Sequence, residues 1–372
     1  MTDNLKYWIW LSSLVKVPLR KRLRLLELFT DPAYIWEAGE SELKSLGFCS
    51  PRMIKCITDK DARRSADKLM ERMYRCDAFA VTLHDRAYPQ MLKNIADPPL
   101  VLYIRGKLVK DEICVAVVGS RRATYYGLEM ARRLSMELVK HGITIVSGLA
   151  RGIDSKAHLG ALDGGGRTIA VLGCGVDRVY PPENGELMER IIRSGAVISE
   201  YLPGTTPMPF HFPARNRIIS GLSRCVTIVE AGAKSGSLIT ADFALEQGRD
   251  VFAVPGNINS ANSLGTNRLI RDGAIIVTGA GDILDELNLR SHGENALCSP
   301  RIPPDINIGG EERQISIEGG MIAQRLMNGP AHIDIIARDC GISPQAASYA
   351  LMMLELSGFV EQLPGKFYKL IQ

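Results

Sequence analysis

Four loops hold the residues most able to do chemistry: GSRRAT (119–124), SGLARGIDSKAH (147–158), EYLPGTTPMPFHFPARNRII (200–219) and EAGAKSGSLITADFA (230–244). Each mixes glycine or small hydroxyls with a cation, and paired acids or a nucleophile beside a base are scarce. Gly119, Gly148 and Gly236 carry no side chain, so backbone N–H groups can approach a bound oxyanion. Ser120, Ser147, Ser235 and Ser237 add short hydroxyl donors, and Asn216 adds an amide. Arg121, Arg122, Arg151, Arg215, Arg217 and Lys234 supply charge and, in the arginines, a forked donor set matched to phosphate. Helices expected to start near Thr124, Asp154 and Ser237 would aim positive ends at the same place. Asp154 reads as a residue that holds Arg151 or its own loop, not as a catalytic base. Blander readings exist for single motifs: a turn with a solvated arginine for GSR, a helix cap for SGS, a buried pair with Glu200 or Glu230 for Arg217. Convergence of several loops favours an anion site.

The elements behind these loops are legible. Apolar runs lie at 113–118, 143–146, 168–172, 196–199, 225–229, 250–254 and 274–277. Stretches of helical period, such as YYGLEMARRLSMELVKHG, separate most of them. Continuously apolar strands alternating with helices predict a parallel sheet covered on both faces, a doubly wound α/β domain. Ligands of such sheets bind beyond the carboxyl ends of the strands, where the four loops fall.

The ligand is not a dinucleotide by this pattern. That fingerprint is G-x-G-x-x-G with an acidic residue about 20 positions on. GSRRAT puts guanidinium groups where later glycines belong, and ITIV runs into Ser147-Gly148 with no acid. No G-x-x-x-x-G-K-[ST] occurs. A nicotinamide or flavin is therefore not expected, and no cofactor or metal is. Cations spread over several loops suit a row of phosphates, as in one strand of nucleic acid, better than one mononucleotide.

Around this domain, residues 1–75 read as short helices broken by Pro18 and Pro32, with LKSLGFCSPRMIKCI as helix, Gly47 turn, helix, like a sterile-alpha-motif or helix–hairpin–helix bundle. FAVTL and LVLYIRG are β-rich and open the region 76–290. Residues 291–315 are polar, Pro- and Gly-rich and without period, and read as a linker. Residues 316–372 predict three helices and a hairpin, a winged helix-turn-helix, with Ser343 capping the third helix and Pro364-Gly365 turning the hairpin. That third helix, SPQAASYALMMLEL, has no Lys or Arg, so it reads as a protein-contact or dimer-supporting module before a duplex reader. PLRKRLRLL reads as a solvated helix face.

The 372 residues carry a net charge of only +4, so any basic site is local. Eight cysteines are scattered without C-x-x-C or zinc-ligand spacing, as reduced, small buried hydrophobes would be. WIWLSSLV is too short for a signal peptide, and no apolar run approaches the roughly 20 residues of a membrane span. The expectation is a cytoplasmic protein with no membrane insertion.

Taken together, VVGSRRAT, SGLARGIDSKAH, TIAVLGCGVDRVYPPEN, SEYLPGTTPMPFHFPARNRIISGLS, VEAGAKSGSLITADFALEQGRDVFAVPGN and GTNRLIRDGA resemble the DNA-processing protein family DprA, also called Smf, continuously from about residue 80 to 287. The resemblance implies an extended Rossmann-like fold, a homodimer, and no catalysis or cofactor. It implies binding and protection of incoming single-stranded DNA during natural transformation, and loading of the RecA recombinase with displacement of single-strand-binding protein. On this sequence the family's phosphate-binding positions are Gly119, Ser120, Arg121, Ser147, Gly148, Lys234, Ser235, Gly236 and Ser237, with Arg215, Asn216 and Arg217 as its RNR segment. Arg122 and Arg151 adjoin them.

Two rival readings have distinct signatures. A nucleotide phosphoribohydrolase would carry P-G-G-x-G-T-x-x-E. EAGAKSGSLITAD places Lys234 and Ser235 in that loop, and Asp242 substitutes poorly for the glutamate. A winged-helix transcription regulator would prefer particular duplex sequences.

Overall fold

The computed structural model describes residues 4–289, 317–326, 329–356, 358–363 and 365–370, which form two compact units, 4–289 and 317–370. The stretch 291–315 read as a linker lies outside the described residues.

The chain opens with six short helices, α1 (Leu5–Ser13), α2 (Leu19–Phe29), α3 (Pro32–Glu37), α4 (Glu40–Ser45), α5 (Pro51–Ile57) and α6 (Lys60–Arg75). Their starts follow capping chemistry. Asp31 accepts from Ala33 N at 2.7 Å, Ser50 Oγ from Met53 N at 3.3 Å, and Asp59 from Asp61 N at 2.9 Å. Pro32 and Pro51 occupy first turns, where a missing N–H costs nothing. Gly47, at φ +72°, makes the turn between α4 and α5. These helices do not keep a core of their own. Trp8, Trp10, Leu11 and Leu25 belong to the same buried cluster as Leu102, Tyr103 and Ile198 of the sheet, and Ser12 Oγ lies 3.1 Å from Tyr103 OH.

Nine strands follow: β1 (Phe79–Thr82), β2 (Val101–Gly106), β3 (Cys114–Val118), β4 (Thr144–Ser147), β5 (Thr168–Val171), β6 (Ala196–Ser199), β7 (Cys225–Ile228), β8 (Asp250–Ala253) and β9 (Ile275–Ile276). Their order is β1-β2-β6-β5-β4-β3-β7-β8-β9. From β6 to β9 every pairing is parallel; β1 and β2 add an antiparallel extension on the β6 edge. Every residue of β3 to β7 is buried, as unbroken apolar runs require.

The covering helices are α7 (Gln90–Lys93), α8 (Tyr125–Val139), α9 (Ile153–Asp163), α10 (Gly185–Ser194), α11 (His211–Leu222), α12 (Gly236–Glu246), α13 (Leu264–Arg271) and α14 (Ala280–Glu286). α8 buries Ala131, Leu134 and Leu138, one face at helical spacing. β3 is the topological switch point: the chain leaves it toward β4, β5 and β6 on one side and returns to β7, β8 and β9 on the other.

The second unit holds α15 (Ile317–Leu326), β10 (Ala331–His332), α16 (Ile333–Asp339), α17 (Pro344–Leu356), β11 (Val360–Leu363) and β12 (Phe367–Leu370). Its sheet, β10-β12-β11, is antiparallel, and Ile322, Ile336, Leu351, Leu354 and Val360 form its core. This is the winged helix expected. Ser343 Oγ accepts from Ala346 N at 3.2 Å as a cap. Of the expected turn, Gly365 has φ +81°, and Pro364 lies outside the described residues. α17 leaves Tyr349, Met352 and Met353 exposed. Among the described residues, no helix is long and apolar enough to cross a membrane.

Candidate functional site

A cleft of about 660 Å³ opens over the switch point. Gly119, Ser120, Arg121 and Arg122 line it from the loop after β3, Lys234, Ser235, Gly236 and Ser237 from the loop after β7, and Arg215 and Asn216 from α11. Gly148 and Arg151 line a recess beside it, which shares Arg121, Tyr180, Phe212 and Arg215 with the cleft. Ser147 and Arg217 line neither.

The six candidate cations differ sharply. Arg121 is exposed, with its guanidinium 5.4 Å from the Phe212 ring centroid, a cation–π contact. Arg122 is exposed too; its N–H donates to Ser120 Oγ at 3.1 Å and its carbonyl accepts from Asn262 Nδ2 at 3.0 Å, so its backbone is fixed while its side chain is in water. Lys234 is exposed. Arg151 is exposed but held by Glu183, through Nε and through Nη2 at 3.1 Å.

Arg215, Arg217 and Ser147 correct the expectation of ligand donors. Arg215 is buried, and its Nη1 donates to the carbonyl of Gly148 at 2.7 Å and to that of Val171. Gly148 makes room for it: a Cβ there would sit 2.5 Å from both terminal nitrogens. Burial pulls Arg215 down to about 10, with nearby Arg121 adding to that pull and Asp154 opposing it. Arg217 is buried between two carboxylates, Glu200 at 2.6 Å and Asp97 at 3.1 Å. Burial lowers its pKa, but the two partners together raise it above the ordinary value. Glu200, one of the two partners considered from sequence, is thus taken; Glu230 sits elsewhere. Ser147 is fully buried and donates to Val117 O at 2.7 Å, a strand-to-strand bond.

The three helix N-termini also differ. At α8 the buried Glu230 carboxylate accepts from Thr124 N at 3.1 and 3.2 Å and from Thr124 Oγ1 at 2.7 Å. At α9 Asp154 folds back to accept from Gly148 N at 3.1 Å and Ala150 N at 3.4 Å, so it holds its own loop rather than Arg151. Burial pushes the Asp154 carboxyl up, against Arg215 and the backbone N–H groups of Ala150, Gly148 and Gly119. At α12 the cap is only Ser235 Oγ, accepting from Ser237 N at 3.4 Å, and Gly236 stays exposed. α12 is therefore the terminus with donors to spare.

Sequence reasoning missed one wall. Tyr180 and Phe212 face each other at 5.2 Å and 35°, and Pro209 and Pro213 extend the apolar side. Two aromatics beside prolines, Tyr180 in a loop and Phe212 in the first turn of α11, give no period to detect. Pro213 also hid the start of α11, because a proline in a first turn looks like a loop residue. The cleft thus sets an aromatic wall against a donor wall, an arrangement that can hold phosphates on one side and flat rings on the other.

A Rossmann-like, mostly parallel sheet with a cationic switch-point cleft, joined in one chain to a winged helix, defines the class of DNA-processing recombination mediators. The family model described as DNA recombination-mediator protein A matches residues 79–288, and the DprA winged helix domain matches residues 313–366. The chain belongs to this DprA family, also called Smf. Protein Smf of Synechocystis sp. is 34% identical, with 98% of each chain covered. DNA processing protein DprA of Streptococcus pneumoniae is 43% identical over 62% of this chain and 85% of the relative. The X-ray structure of the S. pneumoniae protein superposes with a TM-score of 0.65 at 37% identity, covering 77% of this chain and 98% of that one. DNA processing protein A of Helicobacter pylori, solved for its single-stranded DNA binding mode, gives a TM-score of 0.51 at 32% identity, covering 57% and 97%.

Proposed function

We propose that this chain binds single-stranded DNA by its sugar-phosphate backbone in the switch-point cleft, protects it, and passes it to the RecA recombinase during natural transformation while single-strand-binding protein is displaced. The observation that carries the reading is the meeting of Arg121, Lys234 and the α12 N-terminus on one cleft. Arg121 and Arg122 hold phosphates from the β3 loop; Lys234 and the Ser235–Ser237 turn hold them from the β7 loop. Asn216, whose Nδ2 donates to Gly236 O at 3.3 Å, braces that turn. Gly119 and Gly148 shape the floor, and Arg215 holds it from below. The protein works as a cytoplasmic homodimer without a cofactor, and no side chain is assigned a catalytic role. The winged helix serves protein contact, since α17 exposes Tyr349, Met352 and Met353 where a duplex reader would place cations.

A gel shift with labelled oligo-dT against duplex competitor, followed by RecA strand exchange, tests this. Arg121→Glu and Lys234→Glu should each weaken oligo-dT binding by about 1–3 kcal/mol. Equal affinity of wild type and the double variant would remove the cleft from the reading. Preference for particular duplex sequences would favour a transcription regulator, and release of free base from nucleoside monophosphates a phosphoribohydrolase.

A further inference from the structure

We propose that Glu230 and Asp154 are built-in counter-anions: Glu230 occupies the N-cap of α8 and Asp154 the loop leading into α9, where this fold would otherwise take the phosphates of a free nucleotide, so that the backbone donors left for ligand phosphates are those of the turn from Lys234 to Ser237, with Arg121 and Arg122 reaching the ligand by side chain alone. The inference deepens the reading above and rests on it for what the cleft binds.

The Glu230 carboxylate comes from the β7 side and crosses the switch point to the first turn of α8. There it takes up Thr124 N and Thr124 Oγ1. Gly127 lies directly beneath it, and a Cβ on Gly127 would collide with Oε2. The Glu230 carbonyl also accepts from Ser120 N at 2.7 Å, so one residue fixes the loop after β3 from both its backbone and its side chain. Glu230 is 3% exposed, and among the described residues no Lys or Arg forms a salt bridge with it. Its charge is met by the Thr124 N–H, shared between its two oxygens, by the Thr124 hydroxyl and by the helix dipole, the kinds of group that otherwise meet a phosphate.

Asp154 takes up the donors of the loop after β4. It is 6% exposed, takes up Gly148 N and Ala150 N, and faces Arg215. A diphosphate seated beside either carboxylate would meet like charge at short range in a poorly solvated site, and would find the donors already used. Among the described residues, no carboxylate accepts from the N–H groups of the α12 turn, where Ser237 N goes to Ser235 Oγ and Leu238 N to Ser235 O. A polymer that brings phosphates one at a time along the β7 loop fits; a compact nucleoside diphosphate or a dinucleotide cofactor does not.

Hydrogen–deuterium exchange of the full-length protein with inorganic pyrophosphate, and separately with ADP, tests this. In the wild type, protection is expected across 234–238 and absent from 119–128. In Glu230→Ala, protection should extend to 119–128, with pyrophosphate bound at least tenfold more tightly. Wild-type protection within 119–128, or nowhere, overturns the inference, as does a folded Glu230→Ala that gains nothing there. If Glu230→Ala fails to fold, the wild-type pattern still decides. An oligo-dT arm keeps the two readings apart: loss of oligo-dT binding in wild type sinks the single-strand reading, while the pyrophosphate pattern judges Glu230 and Asp154.

Discussion

Arg215 and His158 are buried side by side in charge terms, and both bear on how the floor of the cleft is held. His158 is fully buried and its Nδ1 lies 2.6 Å from Thr168 Oγ1, which itself donates to Ile145 O at 2.8 Å. Thr168 has one hydroxyl proton, so His158 Nδ1 carries the ring proton and donates it. Burial, aided by Arg215, lowers His158 from the ordinary 6.5 to about 3. Between those values the unfolded chain binds the proton and the folded one does not. The stabilisation is therefore complete above pH 6.5 and is lost as pH falls toward about 3, at a slope approaching 1.4 kcal/mol per pH unit, roughly. His158→Gln should flatten that slope in urea titrations across the range. Arg215→Met should destabilise by about 1–3 kcal/mol for each of the two buried carbonyls, Gly148 O and Val171 O, that lose their donor, and calorimetry reads that directly. Which arginines face a ligand was not legible in sequence. Arg121 and Arg215 both follow a small residue in glycine- and proline-rich segments; what separates them is Gly148, which lies 67 positions from Arg215 in the chain and against its guanidinium in space.

α8 and α9 run against each other so closely that a Cβ on Gly160 would collide with the Arg132 carbonyl. Gly160→Ala should therefore cost about 1–3 kcal/mol of stability by overpacking. Oligo-dT affinity measured below the melting transition should not change, because neither Gly160 nor Arg132 lines the cleft or the recess beside it. Among the elements, the parallel strands were readable because burial on both faces leaves an unbroken apolar run. The antiparallel sense of β1 and β2 was not: β2 pairs with β6, from Tyr103 opposite Ser199 to Gly106 opposite Ala196, and no local turn announces a partner that distant.

For the molecule as a whole, the helices of residues 1–75 and the sheet share one hydrophobic cluster. Composition marked where the helices end, near Arg75, but a hydrophobic pattern does not say which element covers it. Removing residues 1–75 would strip Trp8, Trp10 and Leu11 from around Tyr103 and Leu102. The shortened chain is expected to melt lower and to bind a hydrophobic dye; an unchanged midpoint would mean the sheet closes its own core.

The burial of Arg215 and Arg217, and the capture of Arg151 by Glu183, reach beyond the geometry of the cleft. A guanidinium sealed in protein has no condensed ions to exchange with a polyelectrolyte. Of the six candidate cations, Arg121, Arg122 and Lys234 remain to displace counterions, so a plot of log affinity against log salt concentration should fall with a slope of about −2 per chain, where six free cations would give about −4. Grip on the strand would then persist in concentrated electrolyte, resting more on hydrogen bonds and stacked rings than on ionic attraction.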